Sequence, residues 1–168
     1  MSRGFVKEDD QEELPMVPPR PFLPEGATNY VTPQGMEFLL KEKEELLEEK
    51  KNIEYTNDNE RRIAKNLVNA KFNLLVARID SAKVVDPDAQ RQDSVRFGAN
   101  LKLKIDNSAS PKNFKIVGVD EADISQGKIS YLSPVAKVLV EKKVGEKATL
   151  QLDSGQRVFE ILEIDYSS

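Results

Sequence analysis

The chain has 168 residues, a net charge of −4, 39 % hydrophobic and 32 % charged residues, and neither Cys nor His. The missing Cys and His exclude disulfides, thiol nucleophiles, Cys/His zinc sites and any triad with an imidazole base. No window approaches the roughly 18 apolar residues of a membrane span, the acidic Pro-rich start is unlike a secretory signal, and no dense Lys/Arg stripe favours direct binding to a nucleic-acid backbone. The expectation is a cytoplasmic protein with no membrane partner and modest cores.

Residues 1–29 hold five of the nine prolines, and six acidic residues against three basic ones, with no apolar period. This composition predicts a disordered or extended tail. The alternative is a short linear motif within residues 16–23 that docks a partner in a polyproline conformation.

Residues 30–82 predict an antiparallel helical hairpin. Thr32-Pro33 is a helix start, a hydroxyl N-cap with Pro at the first helical position. Leu39, Leu46 and Ile53 repeat every seven residues, as do Leu40 and Leu47. Thr56-Asn57-Asp58-Asn59 breaks the pattern with residues that favour turns and caps. Ile63, Leu67, Ala70, Leu74 and Ala77 then resume it at 4-3-4-3 spacing, which predicts the coiled-coil seam. Each arm is expected to be about 23–25 residues, near 35 Å. Seven acids and four bases in residues 37–54 face three acids and five bases in residues 58–80, which favours the antiparallel pairing. Because an intramolecular helix fills the seam, a monomer is expected.

Residues 83–168 change texture. Val84-Val85-Asp86-Pro87 ends the second helix. Strands are predicted at 94–97, 101–105, 114–119, 129–131, 148–152 and 157–164, the last two joined by a turn at Asp153-Ser154-Gly155. Ser133-Pro134 starts a short helix with Val135, Val138 and Leu139 on one face. Strands with one short helix make a small α+β domain.

Several strings along residues 30–166 resemble the Gre family of bacterial transcript cleavage factors. They are Val31-Thr32-Pro33-Gln34-Gly35, Val95-Arg96-Phe97-Gly98-Ala99, the run from Phe114 through Gly118-Val119-Asp120-Glu121-Ala122-Asp123, Ile129-Ser130-Tyr131-Leu132-Ser133-Pro134-Val135-Ala136, Val144-Gly145, and Phe159-Glu160-Ile161 with Tyr166. The resemblance implies a coiled-coil hairpin followed by an FKBP-like antiparallel-sheet domain. It also implies that the C-terminal domain grips the rim of the RNA polymerase secondary channel while the hairpin enters toward the active site, with indirect contact to transcript RNA. Cleavage-stimulating members carry two acids in a Gly-Asp…Glu-Asn-Ala-Glu-Tyr tip, which help hold a second Mg²⁺ for two-metal phosphodiester hydrolysis by the polymerase.

The tip here departs from that pattern: neither piece is present, and the hairpin is expected to be shorter by roughly two turns per arm, or about 10 Å. Asp58 and Glu60, then Glu54, are the acids left as candidate Mg²⁺ ligands; the alternative makes Asp58 an N-cap and Glu60 a helix-dipole partner. No cofactor of the chain's own is expected. By resemblance the docking candidates are Leu132, Ser133, Pro134 and Lys137, with Lys142 and Lys143 adding electrostatic steering. The reading is thus an elongation factor, with cleavage stimulation as one version. The other is non-cleaving regulation, as in the related regulator of nucleoside diphosphate kinase. Two further classes compete: a peptidyl-prolyl isomerase, whose aromatic pocket would have to come from Phe97, Phe114, Tyr131, Phe159 and Tyr166, and a plain interaction module using the tail and the hairpin.

Overall fold

The computed structural model describes residues 16–54, 57–89 and 91–167. Helices α1 (Pro33–Lys51) and α2 (Asp58–Ser81) form the hairpin. At 19 and 24 residues the arms are unequal, about 28 and 36 Å long. Thr32 caps α1, its side chain accepting from the Gly35 N–H, and Pro33 follows without an N–H to lose. At the other end the Asn52 N–H donates to the carbonyls of Glu48 and Glu49, which ends α1 before Glu54.

The seam differs from the spacing-based expectation. Leu39 and Leu46 are buried on α1, but on α2 they cluster with Phe72, Leu75 and Ile79; Val68, also buried, extends that row at 4-3-4 spacing. Ile63 is 56 % exposed and Leu74 44 %, and Leu40 and Leu47 on α1 are similarly open at 44 and 42 %. α2 carries two adjacent apolar rows, and spacing alone does not separate them. The row that wins aligns Leu75, fully buried, with Leu39 and Val31 at the base of the hairpin.

Two short strands frame that base. β1 (Asn29–Val31) enters α1 and β2 (Ala82–Val84) leaves α2, and they pair in parallel with Asn29 opposite Ala82 and Val31 opposite Val84. The boundary expected at residue 83 therefore falls inside β2. Asn29 ties the strand to the helix end, its amide donating to the Arg78 carbonyl and to Ser81 Oγ, each at 3.1 Å.

The remaining strands are β3 (Asn100–Ile105), β4 (Lys112–Val117), β5 (Lys128–Ser130), β6 (Lys147–Leu152) and β7 (Gly155–Asp165), in the order β5-β4-β3-β7-β6. Within this sheet, among the described residues, only the β4–β5 pair is parallel. Residues 94–97 are not a strand; Val95 instead exchanges backbone hydrogen bonds with Lys142 and Glu141 at 2.8 Å. A register shift between Lys102 and Leu103 bends the long β3–β7 pair. The sheet curls around Leu101, Leu103, Ile116, Phe159 and Ile161, and helix α3 (Pro134–Leu139) closes the core with Ala136 and Leu139. The molecule is α+β as expected. Among the described residues no helix is long and apolar enough to cross a membrane.

Residues 16–29, expected as part of a loose tail, make specific contacts in this structure. Pro24 through Ala27 form a turn closed by the Ala27 N–H to Pro24 carbonyl bond, with Gly26 at φ +80°, the left-handed value that a type II turn needs at its third residue. Residues 1–15 of the predicted tail lie outside the described residues.

Candidate functional site

The hairpin tip is the first of the surfaces singled out by the sequence. Asn57, not Asp58, caps α2, its side chain accepting from the Glu60 N–H at 2.8 Å. Asp58 and Glu60 thus occupy the first turn, where acids suit the positive end of the helix dipole. Both are exposed, and so is Glu54 in the connection before them. Residues two apart on a helix project about 200° apart and do not face each other. Asp58 and Glu60 thus start from different sides of the first turn of α2. Among the described residues no group of three or more carboxylates is placed to hold a metal.

The second surface is the start of α3. The Ser133 side chain accepts from the Ala136 N–H at 3.3 Å, and its own N–H donates to the Ser130 carbonyl at 2.9 Å. The Leu132 N–H donates to Ser130 Oγ at 3.1 Å. The turn is thus pinned on both sides of Ser133. Leu132 is half-buried rather than exposed, whereas Pro134 and Lys137 are exposed one helical turn apart. Val140, Lys143 and Val144, which follow the helix, are exposed as well. The result is a rigid apolar turn with cations at its edge, chemistry that suits an acidic, partly apolar protein surface.

Between the two surfaces lies a joint that single-element reasoning did not reveal. Val31-Thr32-Pro33-Gln34-Gly35 and Gly118-Val119-Asp120-Glu121, read as separate motifs, meet there. The Thr32 hydroxyl donates to the Glu121 carboxylate, at 2.6 Å to Oε1 and 2.9 Å to Oε2. Gly118 sits so close to the Tyr30 carbonyl that a Cβ would lie 2.5 Å from that oxygen. Tyr30, Phe97 and Tyr131 form a ring triad, with centroids 5.5 to 5.9 Å apart and two of the three contacts edge-to-face. The Tyr131 hydroxyl donates to the Thr28 carbonyl, and burial raises its pKa above the ordinary tyrosine value. Arg20 and Arg78 both reach Asp120. The aromatic residues weighed for an isomerase pocket are therefore engaged, Phe97 and Tyr131 in the joint, Phe159 and Tyr166 in the core and Phe114 packed against it. Gly118 and the Asp120-Glu121 turn belong to a motif visible in the sequence. Arg20 and Arg78 had no signal beyond being basic.

The family model described as "Transcription elongation factor, GreA/GreB, C-term" matches residues 90–166. Transcription elongation factor GreA of Alkalilimnicola ehrlichii is 37 % identical over 119 residues, covering 70 % of this chain and 73 % of that protein. Transcription elongation factor GreB of Neisseria meningitidis serogroup B is 36 % identical over 100 residues, covering 59 % and 61 %. Among solved structures, a transcription elongation factor GreA/GreB from Nitrosomonas europaea aligns over 83 % of this chain and 99 % of that one, at 20 % identity and a TM-score of 0.41.

Proposed function

The chain belongs to the GreA/GreB family of transcription elongation factors, and from that premise we propose that it binds RNA polymerase at the secondary channel and regulates elongation without stimulating transcript cleavage. The C-terminal domain docks on the channel rim through the pinned turn at Leu132, Ser133 and Pro134, with Lys137 steering. The hairpin enters the channel. Its bulk and its charged tip then act on the path of the transcript end and on access to the active site.

The observation that carries the non-cleaving version is the placement of the tip acids. Asp58 and Glu60 share the first turn of α2 two positions apart, so they diverge, and their backbone environment is that of ordinary first-turn acids behind the Asn57 cap. A carboxylate pair that shares a metal must converge within a fraction of an ångström of the productive geometry. The docking half rests on the exposed residues Pro134, Lys137 and Val140 beside a turn held by hydrogen bonds.

The test is a stalled, backtracked elongation complex of the cognate polymerase with Mg²⁺, in which the RNA 3′ end and bound protein are followed together. The expected result is saturable binding, weakened in Ser133→Ala/Pro134→Ala, with no faster shortening of the RNA. Rapid shortening that disappears in Asp58→Ala/Glu60→Ala would overturn the non-cleaving version and make those acids polymerase-site ligands. Binding unchanged by the Ser133/Pro134 double substitution would overturn the docking assignment.

A further inference from the structure

The Pro-rich segment 16–24, which the elongation reading does not use, lies against both halves of the molecule. Arg20 donates through Nη1 and Nη2 to the two carboxylate oxygens of Glu42 on α1, at 2.9 and 3.1 Å. Its Nε donates to Asp120 Oδ1, in the turn after β4, at 3.1 Å. Arg78 on α2 completes the node: Nη2 donates to the Pro21 carbonyl at 2.7 Å. Arg78 Nη1 lies 3.4 Å from Asp120 Oδ2, a distance of charge attraction; neither atom has a hydrogen-bond partner. One carboxylate, 6 % exposed, is thus shared by two guanidinium groups that are 17 and 12 % exposed. Burial works against the Arg20 charge, but the bond to Glu42 and the attraction of Asp120 and Glu42 outweigh it and raise its pKa.

The rest of the segment follows the hairpin. Val17, Pro18, Pro19 and Pro21 share a groove with Leu46 and Leu74. Four prolines in residues 18–24 restrict the chain to extended forms, so little conformational entropy is lost when it lies down. Neither core includes a residue of this segment. Its contacts join α1, α2 and the C-terminal domain to one another, and so act on their relative orientation.

We infer that residues 16–24 are a strap between the two halves, and that Arg20 is a positioning residue that fixes the angle at which the hairpin leaves the C-terminal domain. The chemistry asks for Arg: one planar fork grips Glu42 bidentately while its Nε reaches a second carboxylate, which a Lys ammonium on its single point cannot reproduce. The inference rests on the elongation reading only for its consequence, since a docked C-terminal domain sends the tip wherever that angle directs it. The angle itself belongs to the free protein and is measured without polymerase.

The chain has no Cys, so spin labels at Lys50→Cys, near the end of α1, and Asp153→Cys, in the β6–β7 turn, report the distance between the two halves in the full chain. Pulsed electron resonance is expected to give one narrow distance distribution. Arg20→Gln broadens it and adds a second population, Arg20→Lys falls between, and Asp120→Asn reproduces the Gln variant from the other side. Arg20 lies outside both cores, and a cooperative urea transition of each variant, measured alongside, establishes that it is folded. If Arg20→Gln and Asp120→Asn both keep the parent distribution, the strap does not set the angle and the inference is overturned. That failure would leave the polymerase-binding result standing, and a failure to bind polymerase would leave the distance result standing.

Discussion

Thr32 and Glu121, 89 positions apart, share one hydroxyl group: Thr32 Oγ1 accepts the Gly35 N–H at 2.9 Å and donates to both Glu121 oxygens. The cap that starts α1 is also the hydrogen bond that holds α1 to the C-terminal domain. A local helix signal and a long-range contact are carried by the same atom, and Thr32 is 1 % exposed, so water replaces neither.

Thr32→Val keeps the shape and removes both roles. The lost cap costs about 1 kcal/mol, and the half-buried Glu121 carboxylate left without its donor costs a further 1–3 kcal/mol, roughly. Thr32→Ser should retain most of the stability. Urea unfolding midpoints of the two variants measure the difference, and equal losses would show that the hydroxyl is not what matters.

Gly118→Ala tests the close approach at the joint. The new methyl would meet the Tyr30 carbonyl oxygen at 2.5 Å, a backbone atom with no flexible side chain to yield. Overpacking of this kind costs about 1–3 kcal/mol. The β1–β2 pair is expected to shift as well, visible as faster amide exchange at Val31 and Val85, whose N–H donates to the Val31 carbonyl.

The hairpin seam makes a prediction by contrast. Leu75→Ala removes a fully buried side chain and is expected to cost about 2–5 kcal/mol. Ile63→Ala, at 56 % exposure, is expected to cost less than about 1 kcal/mol. Thermal melts of the two variants decide which row faces α1; a reversed order would restore the seam read from spacing.

Alkaline pH should weaken the fold through two tyrosines. Burial raises the pKa of Tyr131 and of Tyr166 above the ordinary 10.0, so the folded state keeps protons that the unfolded chain releases. Their contribution is intact below about pH 10 and is lost as pH rises through the folded pKa values. Tyr166→Phe, which also removes the bond to the Ser94 carbonyl, lowers stability at neutral pH but flattens this alkaline decline. Denaturant midpoints taken from pH 8 to 11 would show it, and a parent slope unchanged by the substitution would refute it.

What the sequence revealed, and what it hid, divides along physical lines. Helix starts were legible at Thr32-Pro33 and Ser133-Pro134, because a cap followed by Pro is a local signal read by the backbone itself. The β6–β7 turn was legible for the same reason. The α2 seam was not, since Val68, Phe72, Leu75 and Ile79 compete with a parallel row of equal period and only the partner helix chooses. Strand β1 was hidden because three residues carry too little pattern. At the tip, Asn57 took the cap expected of Asp58; the string of turn-forming residues allowed either. The Arg20 and Arg78 contacts to Asp120 have no local signature at all, for ion pairs across a fold leave none in the chain.

The parallel pairing of β1 with β2 has a consequence for how this molecule can vary. The strands clamp both roots of the hairpin side by side, while Thr32, Gly35 and Gly118 fasten the roots to the C-terminal domain. The strap adds contacts at Glu42, Leu46 and Leu74, and beyond them the hairpin is a cantilever on that mounting. Adding or removing one heptad in each arm would leave the seam in phase and change the reach by about 10 Å. Reach and anchorage are thus separate variables, and a lineage can retune how far the tip extends without redesigning the base that holds it.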